Sequence, residues 1–205
     1  LWNYQLKMGH NRSERQEKTF DSPSFGINVG FVDGRHQWMF GASKMLTDTA
    51  TGNGAGDSIG NDGLGRLPEQ INREQLSASW RAILICDRCS VQLTAAMTQD
   101  DYLEKDMQTG NSQYSGTFSY QTSPVSSLEF NYSTLKLSYS GSDRLSSSVG
   151  GNDYTFTYVS VGYQYTFANQ VSIETFLRRE EREQPSTLRS GYTENKIGTA
   201  LNYRF

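Results

Sequence analysis

Two cysteines, two histidines and a scatter of charged residues are the groups in this 205-residue chain whose types and spacing could do chemistry. Cys86 and Cys89 form a CxxC and are its only cysteines. Zinc normally takes four ligands, and His10 and His36 lie on other segments. A thioredoxin-type pair would need a helix start in an α/β setting, which the flanking sequence lacks. In a tight turn facing an oxidising compartment, a hairpin disulfide is the expected state of Cys86 and Cys89, with a labile redox pair as the alternative. Neither histidine has an evident serine and carboxylate setting, so no catalytic residue, metal ligand or cofactor is expected. The glycine- and aspartate-rich run GNGAGDSIGNDGLG, residues 52–65, lacks the register of a calcium-binding nonapeptide. It also lacks the strand and helix that flank a phosphate loop, so it reads as a polar surface loop.

The charges are more informative once the elements that carry them are considered. In the closing stretch NKIGTALNYRF, Ile197, Thr199, Leu201, Tyr203 and Phe205 fall in one phase, and Lys196, Gly198, Ala200, Asn202 and Arg204 in the other. Alternate side chains of a strand point to opposite faces, so this segment has one apolar and one polar surface. The same alternation recurs at Trp2–Met8, Phe25–Phe31, Trp38–Ala42, Leu76–Leu84, Val91–Met97, Tyr114–Tyr120, Val159–Phe167 and Val171–Leu177. One segment breaks step: Leu128, Phe130 and Tyr132 share a phase, and Leu135, Leu137 and Tyr139 take the other, which predicts a β-bulge near Ser133-Thr134.

The composition decides which solvent meets the apolar face. Only 35% of the chain is hydrophobic, yet 12% is aromatic, and the mean hydropathy is -0.65. That is poor material for a continuous soluble core. No run approaches the roughly 18 apolar residues of a membrane helix, but a barrel strand must be apolar only at every second position. The connections alternate in length. Tight turns are predicted at 32–35, 86–89, 123–126 and 168–170, and longer polar loops at about 12–21, 48–72, 105–111, 141–153 and 183–192. Short turns at one end and long loops at the other mark outer-membrane barrels, and the aromatic residues gather near the short-turn end as an interfacial girdle would. A soluble β-sandwich would share the periodicity but not strands of this length.

The expected fold is therefore all-β: an antiparallel up-and-down transmembrane β-barrel of about ten strands, one domain over residues 1–205. Its apolar rows face lipid. Lys7, Arg81, Glu174, Arg178, Glu194, Lys196 and Arg204 then line the lumen, because a midplane Arg or Lys on the lipid side costs ~2–4 kcal/mol. Mixed signs predict charges paired across strands rather than a simple ion selector. Net charge is -3 with no basic patch, so nucleic acid is not an expected partner. The abrupt start in a strand at Trp2 suggests the C-terminal part of a larger barrel.

Gly198, Leu201, Tyr203 and the terminal Phe205 resemble the C-terminal signal that barrel-assembly machinery reads in Gram-negative outer-membrane proteins. More broadly, GYTENKIGTALNYRF, FLRREEREQ and LSASWRAIL…SVQLTAAM resemble outer-membrane barrels tied to exopolysaccharide secretion and PEP-CTERM systems. The resemblance implies an integral outer-membrane location and a pore or accessory translocation barrel for a polar solute in exopolysaccharide export. The partners it implies are outer-membrane lipid and lipopolysaccharide, the assembly machinery, and a periplasmic export or electron-transfer partner. Two other functions fit the same pattern: a sheath barrel enclosing a multihaem cytochrome or other polypeptide, and a general small-solute porin.

Overall fold

Each alternating stretch forms one antiparallel strand, and consecutive strands pair in chain order. The computed structural model describes residues 1–15, 18–48, 70–84, 86–104, 107–140, 153–168, 171–183 and 191–203. Its ten strands are β1 (Trp2–Arg15), β2 (Lys18–Asp33), β3 (His36–Asp48), β4 (Gln70–Ile83), β5 (Cys89–Tyr102), β6 (Met107–Ser123), β7 (Ser126–Ser140), β8 (Tyr154–Ala168), β9 (Val171–Glu183) and β10 (Tyr192–Tyr203). They form a single sheet in the order β1 to β10. Among the described residues β1 and β10 do not pair with each other, so both sheet edges are open.

Cross-strand partners share a face, so the register converts the sequence alternation into rows. On one face, Ala82, Val91, Phe118, Phe130, Val161, Leu177 and Ile197 are successive partners from β4 to β10. A parallel row joins Trp2, Phe31, Trp38, Trp80, Leu93, Gly116, Tyr132 and Val159. Its rings touch: Trp2 and Phe31 lie 4.5 Å apart, and Trp38 and Trp80 5.6 Å. This face is not a core. Phe40 is 51% exposed, Leu76 58%, Leu93 48% and Leu177 58%, although all four sit in interior strands. An apolar wall this extensive and this bare has hydrocarbon as its natural solvent.

Three expectations need correction. No bulge occurs at Ser133-Thr134; β7 pairs without a shift there, and the register shifts lie at Gln121/Ser123 and Thr166/Ala168. The phase change instead sends Leu135, Leu137 and Tyr139 to the polar face. There Leu137 and Tyr139 are buried, on the same face as Ile71, Arg73, Asp100 and Thr109. The expected long loops at 12–21 and 105–111 are largely strand, since β1 reaches Arg15, β2 starts at Lys18 and β6 starts at Met107. Backbone pairing needs no apolar side chain, so the ladder continues after the greasy alternation has ended. Residues 49–69 of the expected external loop 48–72 lie outside the described residues, as do 52–65, Arg204 and Phe205.

The short turns are built from suitable residues. Gly34, at the first position of the β2–β3 turn, has φ 54°, a left-handed conformation that a two-residue hairpin demands and glycine adopts without strain. The β6–β7 turn at Pro124-Val125 is held by hydroxyls: Ser126 Oγ lies 2.6 Å from both Thr122 Oγ1 and Ser123 Oγ.

Candidate functional site

The polar face carries the candidate site. Gln37, Arg81, Gln92, Thr117, Asn131, Ser160, Arg178 and Lys196 are successive partners from β3 to β10, a row of hydrophilic side chains across eight strands. Parts of it are internally bonded. Thr117 Oγ1 donates to Asn131 Oδ1 at 2.8 Å, and Asn131 Nδ2 donates to Glu129 Oε1 at 2.7 Å.

At the β9–β10 end this row becomes a charge network. Arg178 and Lys196 stand directly opposite each other, a placement that repels unless an anion intervenes. Glu180 supplies it. Lys196 Nζ lies 3.0 Å from Glu180 Oε2 and 3.0 Å from Glu194 Oε2, and Arg178 Nη1 lies 3.4 Å from Glu180 Oε1. The Glu180 side chain is only 13% exposed, so its two cations are its main substitute for water. The Arg178 guanidinium also sits between two rings, 4.8 Å from Tyr158 and 5.5 Å from Phe176, and donates from Nη2 to the Tyr158 hydroxyl at 3.3 Å. Arg182 lies 4.4 Å over Tyr154. Stacked in this way, long cations lie along the wall rather than across the space in front of it.

Of the expected lumen residues, Arg178, Glu194 and Lys196 come together in that network. Lys7, Arg81 and Glu174 share the polar face but stand apart from it, opposite Gly26, Gln37 and Gln164 respectively. Glu180 and Arg182 belong to the charged run RREERE, residues 178–183, which reads from sequence as a strand end continuing into solvent; they are not among the expected lumen residues, although they share the phase of Arg178. The buried fork between Arg73 and Asp100 was also missed. Arg73 Nε lies 2.7 Å from Asp100 Oδ1 and Nη2 donates to Oδ2 at 2.8 Å. Only the fold brings these residues from β4 and β5 into register.

Gly198, Leu201 and Tyr203 lie on β10. Gly198 stands opposite Phe176, whose ring occupies the space a side chain would need: a Cβ there would meet Phe176 Cζ at 2.5 Å. Cys86 and Cys89 are disulfide-bonded across the β4–β5 turn, with Cα atoms 5.4 Å apart, and Cys89 N donates to Cys86 O at 2.8 Å. His10 pairs with Asp21. His36 stacks on Trp80 at 5.9 Å. Among the described residues no group of three or more His, Cys, Asp or Glu side chains could hold a metal ion.

A ten-stranded antiparallel meander, bare and apolar on one face and hydrophilic on the other, is the sheet of an outer-membrane-type β-barrel. No protein-family model and no curated protein matches the chain. Solved structures of one outer-membrane protein of Vibrio cholerae, OmpT, do match in fold. A loop L8 deletion mutant of OmpT superposes with a TM-score of 0.60 at 13% identity, covering 98% of this chain and 59% of that one. The in-vitro folded OmpT in its trimer form gives 0.58 at 11% identity, over 95% and 63%. Outer-membrane expressed OmpT gives 0.58 at 12% identity, over 88% and 56%. The chain thus spans about three fifths of the length of the solved structures it matches.

Proposed function

We propose that the sheet is the larger part of an integral outer-membrane β-barrel whose polar face walls a hydrated passage for a polar solute. The observation that carries this is the hydrophilic row from Gln37 to Lys196, backed strand by strand by the apolar row from Ala82 to Ile197. One side of each strand is built for hydrocarbon and the other for water. In hydrocarbon an unpaired sheet edge leaves backbone groups unsatisfied at several kcal/mol each. The open edges of β1 and β10 are therefore completed by further strands, consistent with the greater length of the matched barrels. Exopolysaccharide export is the specific setting we favour, on the sequence resemblance of the closing strand and of the strands around Trp80 and Leu93.

The test is conductance. The intact protein, purified and inserted into planar bilayers, is expected to give discrete current steps and to let small sugars leak from vesicles. Protein that is inserted and heat-modifiable, yet passes neither ions nor sugars, would refute the passage.

A further inference from the structure

The short-turn end of the polar face holds an arrangement that a passage alone does not require. A cavity of about 390 Å³ opens there, and among its lining residues are Arg81, Arg88, Ser119, Gln121, Ser127 and Gln164. Its volume lies in the range of small-molecule sites. Gln121, Ser127 and Gln164 are successive partners on β6, β7 and β8, so the register aligns three polar side chains on one side of the cavity. Arg81 approaches from β4, and Arg88 from the turn that follows it.

The two arginines are the cavity's cations, set apart from the charge network of β9 and β10. Neither side chain has a hydrogen-bond or ion-pair partner among the described residues. The acid of the same turn, Asp87, also lines the cavity, and its charge is paired: Arg35, from the neighbouring β2–β3 turn, holds its carboxylate at 2.7 Å and also donates to the Leu84 carbonyl at 3.0 Å. The Cys86–Cys89 disulfide closes the same turn. Arg88 is thus carried on a disulfide-closed turn whose own acid is paired with Arg35.

We propose that this cavity binds a sugar acid, a hydroxylated ring bearing one carboxylate. The proposal deepens the reading of the polar face as a solute passage and rests on it. Guanidinium groups pair with a carboxylate through charge-assisted bonds. Gln121 and Gln164 offer both donors and acceptors to ring hydroxyls, and Ser119 and Ser127 do so with one hydroxyl each. A neutral sugar lacks the arginine contacts, and inorganic phosphate lacks the hydroxyls.

The test compares galacturonate, galactose and inorganic phosphate as ligands of the intact protein, by calorimetric titration and by block of single-channel current. Galacturonate is expected to bind at least about tenfold tighter than either of the others. Arg81→Gln and Arg88→Gln are each expected to weaken galacturonate about tenfold, which is ~1.4 kcal/mol, with galactose unchanged. Lys136→Gln, on the apolar face, should alter nothing. The site is overturned if galacturonate binds no tighter than galactose, if phosphate matches it, or if both arginine variants bind like the parent protein. The ligand comparison needs no variant, so it decides the matter even if an arginine replacement fails to fold. Current without preference for galacturonate would sink the site alone, and preference without current would sink the passage alone.

Discussion

Val161 lies midway along the apolar face of β8, between Phe130 on β7 and Leu177 on β9. Replacing it with arginine places a charge near the centre of the hydrocarbon, at a cost of ~2–4 kcal/mol. A loss of about 3 kcal/mol is more than a hundredfold in the folding equilibrium. Tyr165 is on the same face of the same strand, four residues nearer the short turn. At about 3.3 Å per residue and a tilt of about 40°, that is roughly 10 Å along the membrane normal, close to the border of a band about 25 Å tall. Tyr165→Arg should therefore cost only ~0–1 kcal/mol. Gln113→Arg, on the polar face beside Tyr114, should cost little because it faces water. Urea titration in lipid vesicles, followed by tryptophan fluorescence, measures all three. Shorter-chain lipids should shrink the Val161→Arg penalty by bringing that position closer to water. Equal costs at Val161 and Tyr165, or the largest cost at Gln113, would refute the assignment of the faces, since a protein-lined core has no gradient tied to lipid thickness.

The Arg73–Asp100 fork is buried, so Arg73→Met or Asp100→Leu alone should destabilise by ~3–5 kcal/mol, and the double replacement by much less; the same titration reads the cycle. Removing the Cys86–Cys89 bond opens a very short loop and should cost at most ~2 kcal/mol while leaving open-channel current intact. Gly198→Ala should cost ~1–3 kcal/mol by pushing against the Phe176 ring, and much of that should vanish in a Phe176→Ala background.

The faces and the strand order were readable in the sequence because both follow from a period of two and from turn residues, which are local properties. Leu135, Leu137 and Tyr139 show where that logic ends. Their change of phase is equally consistent with a bulge and with an apolar patch on the interior face, and only the register with β6 and β8 separates the two. The charge network shows a second limit. Arg178, Glu194 and Lys196 could be assigned to the polar face by parity alone, but which charges meet depends on the offset between β9 and β10. That offset places Glu180 between two cations. Arg88 was invisible for a different reason: it lies in a turn, where no periodicity speaks, and its significance comes from Arg35 having taken Asp87.

The open edges bear directly on what the charged wall can do. If β1 paired with β10, ten strands would enclose a lumen little wider than its own side chains, since about eight strands are filled completely and sixteen to eighteen leave a channel. Arg178, Arg182 and Lys196 would then have to pack against the opposite wall. Instead each is held back by its own wall, on Tyr158 and Phe176, on Tyr154, and on Glu180 and Glu194 respectively. Charges satisfied within one wall, by the neighbouring strands β8, β9 and β10, leave the space in front of that wall free, as the proposed passage requires. Cysteine pairs scanned between β1 and β10, such as Leu6→Cys with Thr199→Cys, test the point in membranes under mild oxidation. No register of the scan should cross-link within one chain. Efficient disulfide formation at any register would show a ten-stranded closure, and with it a lumen too narrow for the passage proposed for this face.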